Sequence, residues 1–285
     1  MDFFLVTTDH LTERLLFRDD DDFKQAMNYV AITSVTANVP VLAFILMSNH
    51  VHFVLQCPRI KAKVFIDMFK RLYGKYICQK CMVNDYLRHL PADIRELHVE
   101  DESLHRGIAY VQCNSVAANI TPHASLYEWG TGATFFRVGE AEGKQLQEIS
   151  GREQIRILRS KVKLPGEWCL SNKGYILPES YIAVNYVERL FRSSSRYSFF
   201  LNNSSKSRIR MDNNPAPSFR DQSIIAAASD LSRSLFRADS IEQLSEEDLS
   251  ELMKQLRRRF SADIKQLARV TGFSYSEVTK YLQMF

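Results

Sequence analysis

Two histidines at 50 and 52, separated by one valine, are the sharpest chemical feature of this chain. Strand side chains alternate faces, so residues two apart project to the same side and both imidazoles can reach one ion. Val51, Phe53 and Leu55 then point the other way, where they can anchor the strand in a core. Imidazole pairs bind divalent metals, but two ligands do not complete a site. The plainer alternative is a pair of surface or hydrogen-bonded histidines, and the next position on that face, Val54, adds no third imidazole. A second feature is Tyr110-Val-Gln-Cys-Asn114, where helical spacing of i and i+4 would put a phenol and an amide oxygen on one face. A phenol, with an ordinary pKa of about 10, is a weak nucleophile near neutral pH and needs a metal or a base to attack phosphate. With 12 tyrosines in the chain, spacing alone does not select Tyr110.

The elements that must position these groups follow from hydrophobic periodicity. Phe3 to Thr7 reads as a strand, and Asp19 to Thr33 as a helix whose leading aspartates suit the positive end of its dipole. Val41 to Met47 and His50 to Leu55 read as a strand pair around a Ser48-Asn49 turn, stopped by Pro58. Lys63 to Met82 carries Phe65, Met68, Phe69, Leu72, Tyr73 and Tyr76 at helical spacing, with bases on its other side. Helices are expected over Ser103 to Ala118, Glu140 to Val162 and Glu179 to Phe191, with a loop or short strand over Trp129 to Val138. Arg192 to Ser218, rich in Ser, Asn and Arg, reads as a flexible basic linker.

The last 65 residues read as a helical module. Asp221 to Phe236 is one helix, and Ser245-Glu-Glu-Asp is a capping box opening another that reaches Arg257-Arg-Arg. Asp263 to Val270, then Thr271-Gly-Phe, then Ser274 to Leu282 has the spacing of a helix-turn-helix. Ile264, Leu267, Ala268, Val278 and Leu282 supply its apolar contacts, and Ser274 with Glu277 caps the second helix. No internal repeat is present.

Composition bounds the function. The chain has 285 residues, 45% hydrophobic and 25% charged, with 18 Phe and 12 Tyr, which excludes a disordered or collagenous polypeptide. The longest apolar runs fall short of the roughly 18 to 20 residues of a membrane helix, and Asp2 spoils a signal peptide, so a cytoplasmic protein without a membrane partner is expected. Five cysteines (57, 78, 81, 113, 169) form an unpatterned set read as reduced thiols, and the Cys78/Cys81 pair lacks the second pair a zinc site needs. Net charge is +4, but the bases are segregated: Arg59 to Lys80 holds seven Lys/Arg, Arg189 to Arg220 seven, and Lys254 to Arg269 six, each against one Asp. Such segments fit nucleic-acid binding, the alternative being solvated helix faces. Gly139-Glu-Ala-Glu-Gly-Lys lacks the spacing of a nucleotide-binding Walker loop.

Taken together, Met47-Ser-Asn-His-Val-His-Phe-Val-Leu, a long basic helix, and Tyr110-Val-Gln-Cys-Asn-Ser-Val-Ala-Ala-Asn-Ile resemble the single-tyrosine HUH transposases of the insertion-sequence 200/605 group. The resemblance is closer to the transposases associated with repetitive extragenic palindromes, and it covers about the first 130 residues. The family usually shows MPNHVHLL and then YIxxNPVxAG. Ser48 and Ser115 stand here where proline is usual, which bears on backbone stiffness and not on catalytic atoms.

The resemblance implies an α+β fold: a ferredoxin-like antiparallel sheet with helices on one face over residues 1–138. Beyond the resemblance, the chain's own pattern gives an intermediate helical region and basic linker (139–220) and an all-α helix-turn-helix domain (221–285). The resemblance implies that His50 and His52 hold Mg²⁺ or Mn²⁺, with Asn114 as candidate third ligand, and that Tyr110 is the nucleophile forming a 5′-phosphotyrosine link. The implied partner is single-stranded hairpin DNA in the nucleoid, with Lys63, Lys70, Arg71 and Lys75 on phosphates. Arg257, Arg258, Ser274, Tyr275, Ser276 and Lys280 are the C-terminal DNA-binding candidates, set against a helical pair used for dimer packing. Family members commonly act as homodimers, and some palindrome-associated ones as monomers. The rival functions are a catalytically silent DNA-binding regulator and a metal-dependent nucleic-acid hydrolase using water. No role is assigned to Trp168, Tyr175 or Tyr181.

Overall fold

The computed structural model describes residues 2–8, 15–82, 87, 89–118, 120–139, 142–209, 219–260 and 262–284, the side chains of 205–209 excepted. The chain opens β1 (Phe3–Thr8), α1 (Asp20–Ala37), β2 (Val41–Met47), β3 (His50–Gln56), α2 (Arg59–Cys81) and β4 (Ala92–Leu97). The four strands form one antiparallel sheet in the order β2-β3-β1-β4. β2 and β3 are buried along almost their whole length because both faces of the sheet are covered, which is why they read as apolar runs.

One face carries α1 and α2. Phe53 of β3 meets Phe65 and Phe69 of α2 edge-on, at 5.2 and 5.3 Å between ring centroids. Asp19 caps α1 by accepting from the Asp22 amide at 2.9 Å. Asp22, fully buried, accepts from the Tyr76 hydroxyl at 3.0 Å and from Lys80 at 2.7 Å, tying α1 to α2. Burial by itself would lower the Lys80 pKa, but the Asp19 and Asp22 carboxylates outweigh it and hold the ammonium above its ordinary range.

The other face carries α3 (Ser103–Gln112), so helices cover both sides of the sheet and not the one side expected. The expected helix over Ser103 to Ala118 is broken at Cys113, and a single further turn, α4 (Asn114–Ala117), follows. The middle of the chain also departs from expectation. In place of a helix over 140–162 there are short irregular pieces and α5 (Gly151–Leu158), and the next helix, α6 (Val184–Phe191), is shorter than the span from Glu179. The expected linker is largely α7 (Ser194–Ile209), while residues 210–218 lie outside the described residues. The α7 side chains Tyr197, Phe200 and Leu201 enter the same hydrophobic core as the sheet, as do Leu146, Ile176 and Phe191. His105 of α3 stacks on Phe200 at 5.2 Å, and the Cys113 thiol reaches the Leu201 carbonyl. Residues 142–201 therefore complete the core that the sheet begins.

The outer edge of β2 is closed by the segment around Trp129 to Thr131 and by Ala183. Leu46 N donates to Trp129 O at 2.8 Å, Thr131 N to Phe44 O at 3.0 Å, and Ala183 N to Val41 O at 3.1 Å. Such cover removes a free strand edge. Close approach requires Gly130 and Gly132, where an added Cβ would meet Phe44 O at 2.8 Å and Ala124 O at 2.1 Å. Trp129 itself is buried and stacks on Phe23 at 5.1 Å.

A second hydrophobic core belongs to α8 (Asp221–Phe236), α9 (Glu246–Phe260), α10 (Ile264–Thr271) and α11 (Tyr275–Gln283), with Leu252, Met253, Leu256, Leu267, Ala268 and Val278 at its centre. Gly272, at φ +79°, ends α10, and Ser274 with Glu277 forms a reciprocal capping box on α11.

Candidate active site

The three groups singled out for chemistry come from two elements on the α3 face of the sheet. His50 and His52 leave β3 on the same side and are 5% and 0% exposed. Their ring centroids stand 4.7 Å apart, with the planes at 88°. Tyr110, on the last turn of α3, meets His52 edge-on at 5.3 Å. Histidine pair and tyrosine, 58 residues apart in the chain, are thus neighbours across one helix–sheet contact.

Each imidazole is held by a local oxygen. Nδ1 of His50 lies 2.8 Å from Asn49 Oδ1, an acceptor only, so this nitrogen carries the proton and Nε2 the lone pair in the neutral ring. Nδ1 of His52 lies 2.8 Å from the Thr7 hydroxyl of β1, which the sheet register puts directly opposite it. Oxygen partners on the far nitrogen are how proteins orient metal-binding histidines. Thr8, next to Thr7, accepts the Val51 amide at 3.0 Å and fixes the backbone between the two histidines. Thr7 carries no signal of this role in the sequence, since its partnership depends on pairing between distant strands.

Asn114 sits just past the break in α3, buried, with Nδ2 donating to the Tyr110 and Val111 carbonyls at 2.9 and 3.4 Å. Its amide therefore closes the carbonyl end of α3 behind Tyr110, and Oδ1 is the atom of that amide chemically able to ligate a cation. Two imidazoles and an amide oxygen suit Mn²⁺ better than Mg²⁺, which prefers an all-oxygen shell. Among the described residues no group of three or more His, Cys, Asp or Glu stands in a metal-binding arrangement, so a cation here depends on that amide or on substrate oxygens for its remaining ligands.

Tyr110, half-buried, opens onto a cleft of about 530 Å³ between β4 and α3, whose walls include Thr7, Asp93, Arg95, His98 and Arg106. The cleft gives an extended ligand access to the phenol.

The basic candidates divide by place. Lys63, Arg71 and Lys75 stand exposed on one ridge of α2 at multiples of four residues, with Asp67 among them. That ridge belongs to the face of the sheet opposite Tyr110. Lys70 does not share it: the side chain is buried, donating to Leu90 O at 3.0 Å and paired with Asp67 at 3.1 Å. Helical periodicity puts Lys70 beside the apolar positions Phe69 and Tyr73, which explains its burial. In the C-terminal unit, Arg257 and Tyr275 line a groove of about 560 Å³ together with Asp263 and Lys265. Arg258 and Ser276 are exposed, Ser274 is spent on the α11 cap, and Lys280 pairs with Glu246 at 2.7 Å.

No protein-family description matches the chain, and no curated protein matches it. A solved structure of a REP-associated tyrosine transposase bound to a REP hairpin is similar to it at 11% identity, with a TM-score of 0.35, over 46% of this chain and 76% of that one. No described helix is long and apolar enough to cross a membrane.

Proposed function

We propose that this chain is a metal-dependent transposase that cleaves and rejoins single-stranded, hairpin-bearing DNA through a tyrosyl intermediate. The observation that carries the reading is the convergence of His50, His52 and Tyr110, with the Tyr110 ring packed on His52 at 5.3 Å and facing an open cleft. The β-α-β-β-α-β order with both crossover helices on one face suits a ferredoxin-like core, and the α10–α11 pair suits a helix-turn-helix.

In this reading the Tyr110 oxygen attacks the scissile phosphorus. The phenolic proton leaves, a Tyr–O–P bond forms, the bond to the 3′ oxygen breaks, and that oxygen takes up a proton. Attack by a 3′ hydroxyl reverses the sequence and releases Tyr110, so no nucleotide cofactor is consumed. Thr7 and Asn49 keep both imidazoles oriented throughout, and Asn114 holds the end of α3 behind the nucleophile. A bound divalent cation on His50, His52 and Asn114 would polarise the phosphate and offset charge as it develops. Exposed Lys63, Arg71 and Lys75, and the Arg257–Tyr275 groove, supply phosphate-binding and stacking surfaces for hairpin DNA away from the phenol.

The test is incubation of labelled hairpin-containing single strands with Mn²⁺, comparing wild type with Tyr110→Phe on a denaturing protein gel. A metal-dependent shifted band, lost in the variant, is expected. Cleavage that persists in Tyr110→Phe would replace this reading with hydrolysis by water, and binding without cleavage across a substrate panel would replace it with a DNA-binding regulator.

A further inference from the structure

At the start of α8 lies a buried carboxylate that links both cores. Asp221 is 2% exposed, and its two oxygens accept from three side chains. Oδ2 accepts from Arg269 Nε at 2.8 Å and from the Ser48 hydroxyl at 2.5 Å; Oδ1 accepts from Arg269 Nη2 at 3.2 Å and Gln266 Nε2 at 2.9 Å. Arg269 and Gln266 belong to α10, whereas Ser48 belongs to the β2–β3 turn that delivers His50. The arginine fork is the strongest geometry available to this pair and is itself largely shielded from solvent.

Ser48 is the residue through which such a link reaches the site. Its carbonyl accepts from the Leu16 and Phe17 amides at 2.7 and 3.1 Å, so the turn is gripped on its backbone as well as its hydroxyl. The next residue, Asn49, holds Nδ1 of His50. A continuous chain of contacts therefore runs from Arg269 and Gln266 through Asp221, Ser48 and Asn49 to the imidazole of His50. Gln222 Nε2 adds a second hold on the same turn by donating to Phe17 O at 3.0 Å, whereas Arg220 fastens the junction without touching the turn, pairing with Asp20 at 3.2 Å while lying over the rings of Phe23 and Trp129.

We propose that Asp221 is a positioning residue: by joining α10 to Ser48 it sets the orientation of the turn that carries His50, so the C-terminal unit and the active site are mechanically coupled. The metal-binding part of this inference rests on the proposed function, whereas the coupling itself does not. It also gives Ser48 a role, since a side chain without a hydroxyl donor could not make the link. Partners one step removed from a metal ligand commonly change metal affinity by about 10- to 100-fold when removed.

The test uses the full chain with isotopically labelled histidine. Ring resonances of His50 are recorded without metal, and Mn²⁺ affinity is measured by electron paramagnetic resonance, for Ser48→Ala, Asp221→Asn and Asp20→Asn. Ser48→Ala and Asp221→Asn are expected to shift the His50 ring signals and to weaken Mn²⁺ binding by about tenfold. Asp20→Asn, which breaks the Arg220 pair at the same junction without touching Asp221 or the Ser48 turn, is expected to do neither. Unchanged His50 signals in Ser48→Ala, or an equal shift in Asp20→Asn, would overturn the proposal. If Asp221→Asn fails to fold, Ser48→Ala decides, because it removes one hydroxyl from a half-buried turn. Wild-type protein that binds no Mn²⁺ would overturn the metal reading, and the ring signals would still decide the coupling.

Discussion

Replacing Thr7 by valine isolates the orientation of His52. The two side chains have the same branching and nearly the same volume, so the central strand keeps its propensity and packing while the hydroxyl is lost. Thr7 is paired with His52 on one side and Asp93 on the other, and its hydroxyl lies 2.8 Å from Nδ1 of an imidazole that is fully buried. Taking the partner away leaves that nitrogen without its hydroxyl beside the cleft that Thr7 lines, a cost of about 1 to 3 kcal/mol that water entering from the cleft moves toward the lower end. The same freedom lets the ring turn, disturbing both its approach to His50 and its edge contact with Tyr110. We expect Mn²⁺ affinity to fall about 10- to 100-fold in Thr7→Val. In chelator, the melting temperature should drop by roughly 2 to 12 °C, from about 2 to 4 °C per kcal/mol for a chain of this size. Isothermal titration and thermal melts give both quantities from one preparation. An affinity within twofold of wild type, with an unchanged melt, would refute the claim that Thr7 orients His52.

Two further outcomes follow from the fold. Burial pushes the His105 imidazole below its ordinary pKa, against the opposing effect of its bond to Leu190 O, and its buried Nδ1 has no hydrogen-bond partner among the described residues. Below about pH 6.5 the unfolded chain takes up a proton that the folded one resists, so this contribution to stability is present above that pH and lost as pH falls, by at most about 1.4 kcal/mol per pH unit. Melts between pH 7.5 and 5.5 should show a flatter slope in His105→Gln than in wild type, and parallel slopes would count against this assignment. Gly132→Ala should destabilise the protein by about 3 kcal/mol, because its Cβ would stand 2.1 Å from Ala124 O and the loop closing β2 would have to move; a chemical-denaturation midpoint equal to wild type would contradict this.

Local pattern determined a good deal of this protein. Alternation within a strand put His50 and His52 on one face and Phe53 on the other, because a strand's period of two holds whatever it pairs with. The run of aspartates from Asp19 and the cap at Ser274 with Glu277 marked helix starts correctly, since dipole and capping interactions act within the first turn. β4 gave only a short signal: in Ala92–Leu97, a charged edge strand, Ala92 and Ile94 alternate with Asp93 and Arg95 but Glu96 ends the pattern. α7 gave none, because its Ser- and Asn-rich stretch resembles a linker until Tyr197, Phe200 and Leu201 find α3 to pack against. The break at Cys113, and the partnerships of Thr7 with His52 and of Asp221 with Ser48, were decided by tertiary structure alone. Each depends on contact between residues far apart in the chain, or on which helix face meets the sheet. No spacing within the sequence encodes either, so the types of the chemical groups were legible in advance and their supports were not.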